Sequence, residues 1–418
     1  MKTKICNVNL FSIVLMMCGL TLLIVAGCER ELDPEIIKSE PGAVDPIVVS
    51  ANTKFAFNLF SEIRKIEQDK NIFVSPYSVS VALAMTLNGA AGETEQAMVN
   101  TLQLQGIDSD LINSGYSHLN QNLQSTDSEL ILTIANSLWG KQGIPFKQDF
   151  LDRNSQFFKA EITTLDFSDP SASQTINMWV DTHTNGKIQK IVDDNIDPQM
   201  VLFLINAVYF KGSWQTKFDS ENTRDATFHL ESGSTKQVPM MNRTDEYLHY
   251  VNHEDGLQAI SLPYGDGSIS MYIFLPSRDS NLTDFLESLN AENWENWMSQ
   301  FQKRKIWVQI PKFKLEYETS LIDSLKSLGM SVAFDEGRAD FSRMAQLDNL
   351  DSNLYIAKVK HKTFIDVNEE GSEAAAVTGI GIAVTSLPPQ FIADRPFFFA
   401  IRDNETKTVL FMGTVVDP

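Results

Sequence analysis

Residues 367–390 read VNEEGSEAAAVTGIGIAVTSLPPQ, and the chemistry this stretch offers is that of a substrate rather than a catalyst. It is rich in small residues, has no aromatic side chain, and is dense in β-branched residues from Val377 to Thr385. A structureless loop of about 20 residues inside a compact domain is usually functional or disordered. The β-branched run instead favours an extended strand. Every second residue (Ser372, Ala374, Ala376, Thr378, Ile380, Ile382) is uncharged and small or apolar. The intervening set is Gly371, Glu373, Ala375, Val377, Gly379 and Gly381. Two is the period of a strand, so the first set can enter a sheet interior at little cost. The second set can face outward or lie beneath a covering element. The stretch is therefore expected to be a loop able to become a strand.

No catalytic constellation competes with that reading. The 3 cysteines, Cys6, Cys18 and Cys28, all precede the body of the chain, which leaves it without a thiol nucleophile, a disulfide or a thiolate metal site. The 6 histidines show no HExxH spacing, and no GxSxG or Walker sequence occurs. GIGIAV at 379–384 lacks the third glycine of a dinucleotide loop and follows an acidic, alanine-rich stretch rather than a strand. A secreted peptidase, the rival from another class, has no candidate nucleophile–base pair here. The formal net charge of −20 argues against a nucleic-acid partner, which requires a basic face. Neither a cofactor nor a metal is expected.

The elements that must hold such a loop are legible in outline. Residues 1–27 carry Lys2 and Lys4, an apolar run from Leu10, and small residues before Cys28. This is a secretory signal pattern. The ending VAGC resembles a bacterial lipobox, which implies cleavage before Cys28 and a lipid on that residue; an uncleaved anchor is the alternative. Residues 28–51, with three prolines and several acids, read as a tether. From residue 52 onward there is no second linker and no repeat. Phe55, Leu59, Ile63 and Ile66 are spaced for one helix face. Ser75-Pro76 starts another helix, with Val79, Leu83 and Leu87 as its stripe. ELILTIANSL at 129–138 and VLFLINAVYF at 201–210 read as buried strands. KIWVQIPKFKLEY alternates, and FFFAI and TVLFMGTVV close the chain around the turn RDNETK. The class is α+β in a single large domain, 52–418.

Several segments together resemble the serpin family. EEGSEAAAVT is similar to the serpin hinge, and RPFFFAIRDNETKTVLFMGTVVDP to the serpin C-terminal signature. NIFVSPYSVSVALAMTLNGAAGETEQAM, WVDTHTNGKIQKIV, NAVYFKGSW, IPKF and AKVKHKTFIDVNEEG support the match in order from residue 52 to the end. The resemblance implies three β-sheets, about nine helices and an exposed reactive-centre loop at about 369–390. It implies that a protease attacks one loop bond, forms an acyl-enzyme, and is trapped when the cut loop enters the large sheet. About 15 inserted residues at roughly 3.3 Å each would carry the protease on the order of 50 Å.

The resemblance also assigns residues. The hinge is Glu369, Glu370, Gly371, Ser372, Glu373, Ala374, Ala375, Ala376, Val377 and Thr378. The family's ungapped loop places the reactive bond at Thr385-Ser386, with cleavage after Val384 as the alternative. Ser75, Ser78, Asn206 and His361 match the shutter, a polar cluster under the opening point of the sheet, and Trp214 matches the breach, where insertion begins. With no Arg, Lys or large aromatic residue near the bond, an elastase-like or subtilisin-like serine protease is the expected target. A papain-like cysteine protease is a further option. The expected partners are this protease, held covalently, and a membrane reached through lipid on Cys28; the protein is expected to be monomeric. The expected location is the cell envelope, at the outer membrane or cell surface. A non-inhibitory serpin acting as substrate, carrier or chaperone is the competing function, and the small hinge residues Ser372, Ala374 and Ala376 weigh against it.

Overall fold

The computed structural model describes residues 44–124, 130–198, 200–346, 353–372 and 388–418. In chain order, the elements begin with α1 (Pro46–Ile66), β1 (Ile72–Val74), α2 (Pro76–Leu87), α3 (Gly92–Thr101), α4 (Ser109–Gln124), β2 (Leu130–Lys141), α5 (Gln148–Phe158), β3 (Glu161–Leu165) and α6 (Ser171–His183). They continue with β4 (Leu202–Ser213), β5 (Arg224–His229), β6 (Thr235–Val251), β7 (Gln258–Tyr264), β8 (Ile269–Leu275), α7 (Leu282–Ser288) and α8 (Ala291–Met298). The last are β9 (Gln302–Pro311), β10 (Phe313–Ser320), α9 (Ile322–Leu325), β11 (Lys358–Asn368), β12 (Gly371–Ser372), β13 (Gln390–Ile392), β14 (Phe397–Asp403) and β15 (Val409–Val415).

Local chemistry explains the first two helices. Asp45 caps α1 by accepting from the Ile47 N–H at 2.8 Å, and Pro46 fills the first turn, where no N–H partner is needed. The helix thus starts six residues before the boundary expected at 52, inside the stretch read as tether. Phe55, Leu59 and Ile63 are buried as their spacing predicts, but Ile66, in the last turn, is 58% exposed. Ser75 caps α2, and all twelve residues of that helix are buried, not only the Val79–Leu83–Leu87 stripe. A helix apolar on all sides belongs inside the body.

The described strands form two hydrogen-bonded networks. One is a six-stranded sheet in the order β10-β11-β12-β4-β2-β3, in which β11 and β4 also pair directly. The other runs β1-β15-β14-β8-β7-β6-β9-β13, with β5 on β6. Its 17-residue β6 pairs with β5 and β9 along most of its length and with β7 only over its last three residues. That strand therefore joins two sheets, which with the six-stranded sheet make the expected three. The main core lies between the inner face of the six-stranded sheet, α1, α2 and the second network. A smaller core lies on the outer face, where Ile176 and Val180 of α6 pack against Ala135 and Trp139 of β2 and Phe203, Ile205 and Ala207 of β4. Among the described residues no helix is long and apolar enough to cross a membrane, and no cluster of three His, Cys, Asp or Glu side chains is placed to hold a metal ion.

Candidate functional site

The centre of the six-stranded sheet contains a parallel seam. β11 and β4 pair from Lys358↔Phe203 to Phe364↔Tyr209, while β4 pairs antiparallel with β2 on its other side. One level of this sheet is polar. Asn136, Asn206 and His361 are register partners across β2, β4 and β11, and they sit over the N-terminus of α2. The Ser75 N–H donates to His361 Nε2 at 3.1 Å, so the ring proton is on Nδ1, which donates to Asn206 Oδ1. The Asn206 amide donates in turn to Ser78 Oγ and Asn136 Oδ1. Ser75 Oγ donates to the Leu410 carbonyl at 2.8 Å and accepts from the Ser78 N–H at 3.3 Å. Burial without a counter-charge lowers the His361 pKa to about 3, so the imidazole is neutral and serves as a satisfied connector. Ser75, Ser78, Asn206 and His361 thus meet in one cluster. Asn136 completes it and was missed from the sequence, because a polar residue in an apolar strand has no signal until its register is known.

At the upper end of the seam the two strands no longer pair directly, and β12 stands between them. Gly371 and Ser372 pair antiparallel with Asn368 and Val367 of β11 on one side and with Ser213 and Gly212 of β4 on the other. Gly371 has φ +146°, and a Cβ there would come within 2.1 Å of the Gly212 carbonyl oxygen. Only glycine fits between backbones this close. Ser372 is fully buried, its hydroxyl 2.9 Å from Tyr264 Oη. The Tyr264 ring stacks on Trp214 at 4.3 Å, and the Trp214 indole N–H donates to the Asn368 carbonyl at 2.9 Å.

The two glutamates before the glycine are tied down by backbone and charge. The Trp214 N–H donates to the Glu370 carbonyl at 2.8 Å and the Phe218 N–H to the Glu369 carbonyl at 2.9 Å. The Glu370 carboxylate lies 2.6 Å from Lys217 Nζ. Glu369 lies 2.7 Å from Lys312 Nζ and accepts from Thr223 Oγ1 at 2.7 Å. Burial works against its charge, but the bonds from Lys312 and Thr223 outweigh it and hold the pKa below the ordinary carboxylate value. Nothing in the sequence pairs Lys217 and Lys312 with these acids, since the contacts are made between distant segments.

Of the hinge residues expected from the sequence, Glu369, Glu370, Gly371 and Ser372 are at this mouth with Trp214. Glu373, Ala374, Ala375, Ala376, Val377 and Thr378, the bonds around Val384, Thr385 and Ser386, and Cys28 lie outside the described residues. After the described residues take up again at 388, β13 pairs parallel with β9.

Comparison with known proteins agrees with this architecture. The family model described as "Serpin (serine protease inhibitor)" matches residues 50–418. Serpin B11 of Homo sapiens is 36% identical over 391 residues, covering 88% of this chain and 99% of that protein. The leukocyte elastase inhibitor of Bos taurus is 36% identical over 380 residues, covering 88% and 99%. Among solved structures, the native state of the thermophilic serpin tengpin superposes with a TM-score of 0.83 at 33% identity, covering 91% of this chain and 96% of that one.

Proposed function

The chain belongs to the serpin family, and from that premise we propose that it is a suicide inhibitor of proteases that works by inserting its own cleaved loop into the β4–β11 seam. The observation that carries this reading is β12, a strand antiparallel to both neighbours at the mouth of a parallel seam. A following segment that kept this pairing would have the orientation of a new central strand.

The register supports it further. β11 and β4 keep one offset from the seam through the β12 pairs, so extending β12 needs the strands to separate but not to slide. In that extension Ala374 would come opposite Ile365 and Phe210, Ala376 opposite Thr363 and Val208, and Thr378 opposite His361 and Asn206. The buried side of Ser372 fixes the parity. The small and apolar set would face the main core, and Ala375, Val377, Gly379 and Gly381 the outer side. Seven parallel pairs of the present seam would be exchanged for two antiparallel ladders.

The chemistry begins when a protease serine Oγ attacks the carbonyl carbon of Thr385. The Thr385–Ser386 bond breaks, Ser386 leaves as an amine after taking a proton from the protease's acid–base group, and an ester joins the enzyme to Thr385. Insertion then carries the ester away before water can cleave it. A threonine with Val384, Ala383 and Ile382 before it suits an elastase-like or subtilisin-like pocket. A papain-like protease would reach the same point as a thioester. Anchoring through lipid on Cys28, at the outer membrane or cell surface, is part of this proposal, and mass spectrometry of the mature N-terminus tests it. The function itself is tested by mixing with elastase. A denaturant-resistant covalent complex supports inhibition, whereas quantitative cleavage without complex, for elastase, subtilisin and papain alike, would assign a substrate, carrier or chaperone role instead.

A further inference from the structure

We propose that His249 is a pH-sensitive latch for β13: while the ring is neutral the strand stays docked, and protonation in mild acid frees it. The latch concerns residues 389–393 and the body beneath them, and does not rest on the insertion reading above. β13 is three residues long, and among the described residues it pairs on one side only, in parallel with β9. It is also held by the Trp307 N–H on the Pro389 carbonyl and the Ala393 N–H on the Gln309 carbonyl, each at 2.9 Å. Its anchor is Phe391, fully buried, whose ring meets the His249 imidazole edge to face with 6.4 Å between centroids. The chain beyond is clamped. The His229 N–H donates to the Asp394 carbonyl at 2.7 Å, and the Asp394 carboxylate pairs with Arg278 and, at 3.0 Å, with Arg395. A local opening is therefore confined to β13 and its flanks.

The surroundings of His249 suit a neutral ring and not a charged one. His249 lies on β6, 4% exposed, opposite Gln302 of β9 and Ile260 of β7. Neither ring nitrogen has a hydrogen-bond partner of good geometry, and Gln258 of β7 is the polar side chain that can supply one. On β6 itself, Tyr247 Oη accepts from Arg243, and Asp245 pairs with the same arginine. On β9, Lys303 pairs with Glu246, which leaves the Arg304 guanidinium as the charge that acts on the ring, and it repels an imidazolium. β13 carries no titratable side chain. Burial, opposed by Gln258 and reinforced by Arg304, holds the His249 pKa below its ordinary 6.5. Once parted from Phe391 and wetted, the ring regains ordinary basicity, so the open form binds the extra proton. Docking is complete above about pH 6.5 and weakens as pH falls, by up to about tenfold per unit until the docked ring itself titrates. Under the inhibitor reading, Gln390 lies five residues past Thr385, so release slackens the bait from its far end in acid surroundings.

Hydrogen exchange of the full-length protein, corrected for the intrinsic chemical rate at each pH, tests the latch. Protection of a peptic peptide spanning 389–394 is expected to fall about tenfold or more between pH 7 and pH 5, while peptides from α2 and β15 stay protected. His249→Gln and His249→Phe do not titrate and should keep the same protection at both pH values; if one fails to fold, the other carries the expectation. His361→Gln removes the other buried histidine and should retain the wild-type fall. Equal wild-type protection at the two pH values overturns the latch. So does a fall that persists undiminished in the His249 variants, or one shared by α2 and β15, which is general acid unfolding. Variants already unprotected at pH 7 overturn it too, since the ring would then be a prop and not a switch. A protein that passes this test but forms no covalent complex with a protease keeps the latch and loses the inhibitor reading.

Discussion

Replacing Ser372 by arginine separates insertion from proteolysis. Ser372 is fully buried against Tyr264, with β4 and β11 backbones on either side. Keeping β12 in place would bury an unpaired guanidinium. Expelling β12 loses two register pairs on each side and the bond to Tyr264. Antiparallel pairs alternate between two bonds and none, so this is about four backbone bonds and one side-chain bond, roughly 5 kcal/mol at about 1 kcal/mol net each, against the far larger cost of a desolvated unpaired charge. Expulsion is the smaller cost, so the variant should fold with the whole loop outside the sheet. Glu369 and Glu370 remain held by Lys312 and Lys217. The loop would still be cut, but insertion would have to bury the arginine at its first step. Titration against elastase, resolved on a denaturing gel, should show cleaved protein with little or no complex. A melting curve should confirm the native fold. Complex yields equal to the wild type would refute the reasoning.

Three further outcomes follow from the same geometry. Gly371→Ala places a Cβ 2.1 Å from the Gly212 oxygen, so β12 should leave the slot and inhibition should slow, with more inhibitor cleaved per protease trapped; unchanged partition would contradict the fit. His361 is held neutral with a pKa of about 3, against roughly 6.5 when unfolded. The unfolded chain therefore binds the extra proton, and this group's contribution is complete above about pH 6.5 and is lost as pH falls toward 3, at up to about 1.4 kcal/mol per unit. Melting temperatures of the wild type should accordingly fall more steeply between pH 6 and 4 than those of His361→Gln, and parallel curves would argue against a buried neutral ring. Thr385→Arg should gain inhibition of trypsin-like proteases and lose much of its action on elastase, with the released C-terminal peptide starting at Ser386; a peptide from the unmodified protein that starts at Thr385 would move the reactive bond to Val384.

Strand and helix identities were legible wherever composition alone decides them. VLFLINAVYF became β4, buried at eleven of its twelve positions, because a strand covered on both faces reads as a continuous apolar run. The turn read at RDNETK does lie between β14 and β15, but Arg402 and Asp403 are the last residues of β14, so it begins only at Asn404. KIWVQIPKFKLEY, however, spans two networks, since β9 ends at Pro311 and β10 starts at Phe313 in the other sheet. Alternation gives a strand's faces but not its neighbours. The same limit applies to the site. The alternation from Ser372 shows that a strand is possible, whereas the slot at Gly212 and Val367 depends on pairing between segments more than 150 residues apart. The start of α1 at Pro46 was written locally in the Asp45-Pro46 pair but was obscured by the prolines and acids around it. The acids Glu369 and Glu370 were visible, and the lysines that hold them were not.

The proposed insertion of the cut loop as a new central strand adds backbone pairing that the native fold lacks, so the cleaved protein should be the more stable form. The most direct measurement is the melting temperature before and after a non-target protease cuts the loop once. Insertion adds some ten backbone bonds at about 1 kcal/mol each, and at roughly 2 °C per kcal/mol the midpoint should rise on the order of 20 °C. Nicking an ordinary loop leaves the midpoint unchanged or lowers it. A cut protein that melts at or below the temperature of the intact one would contradict the account.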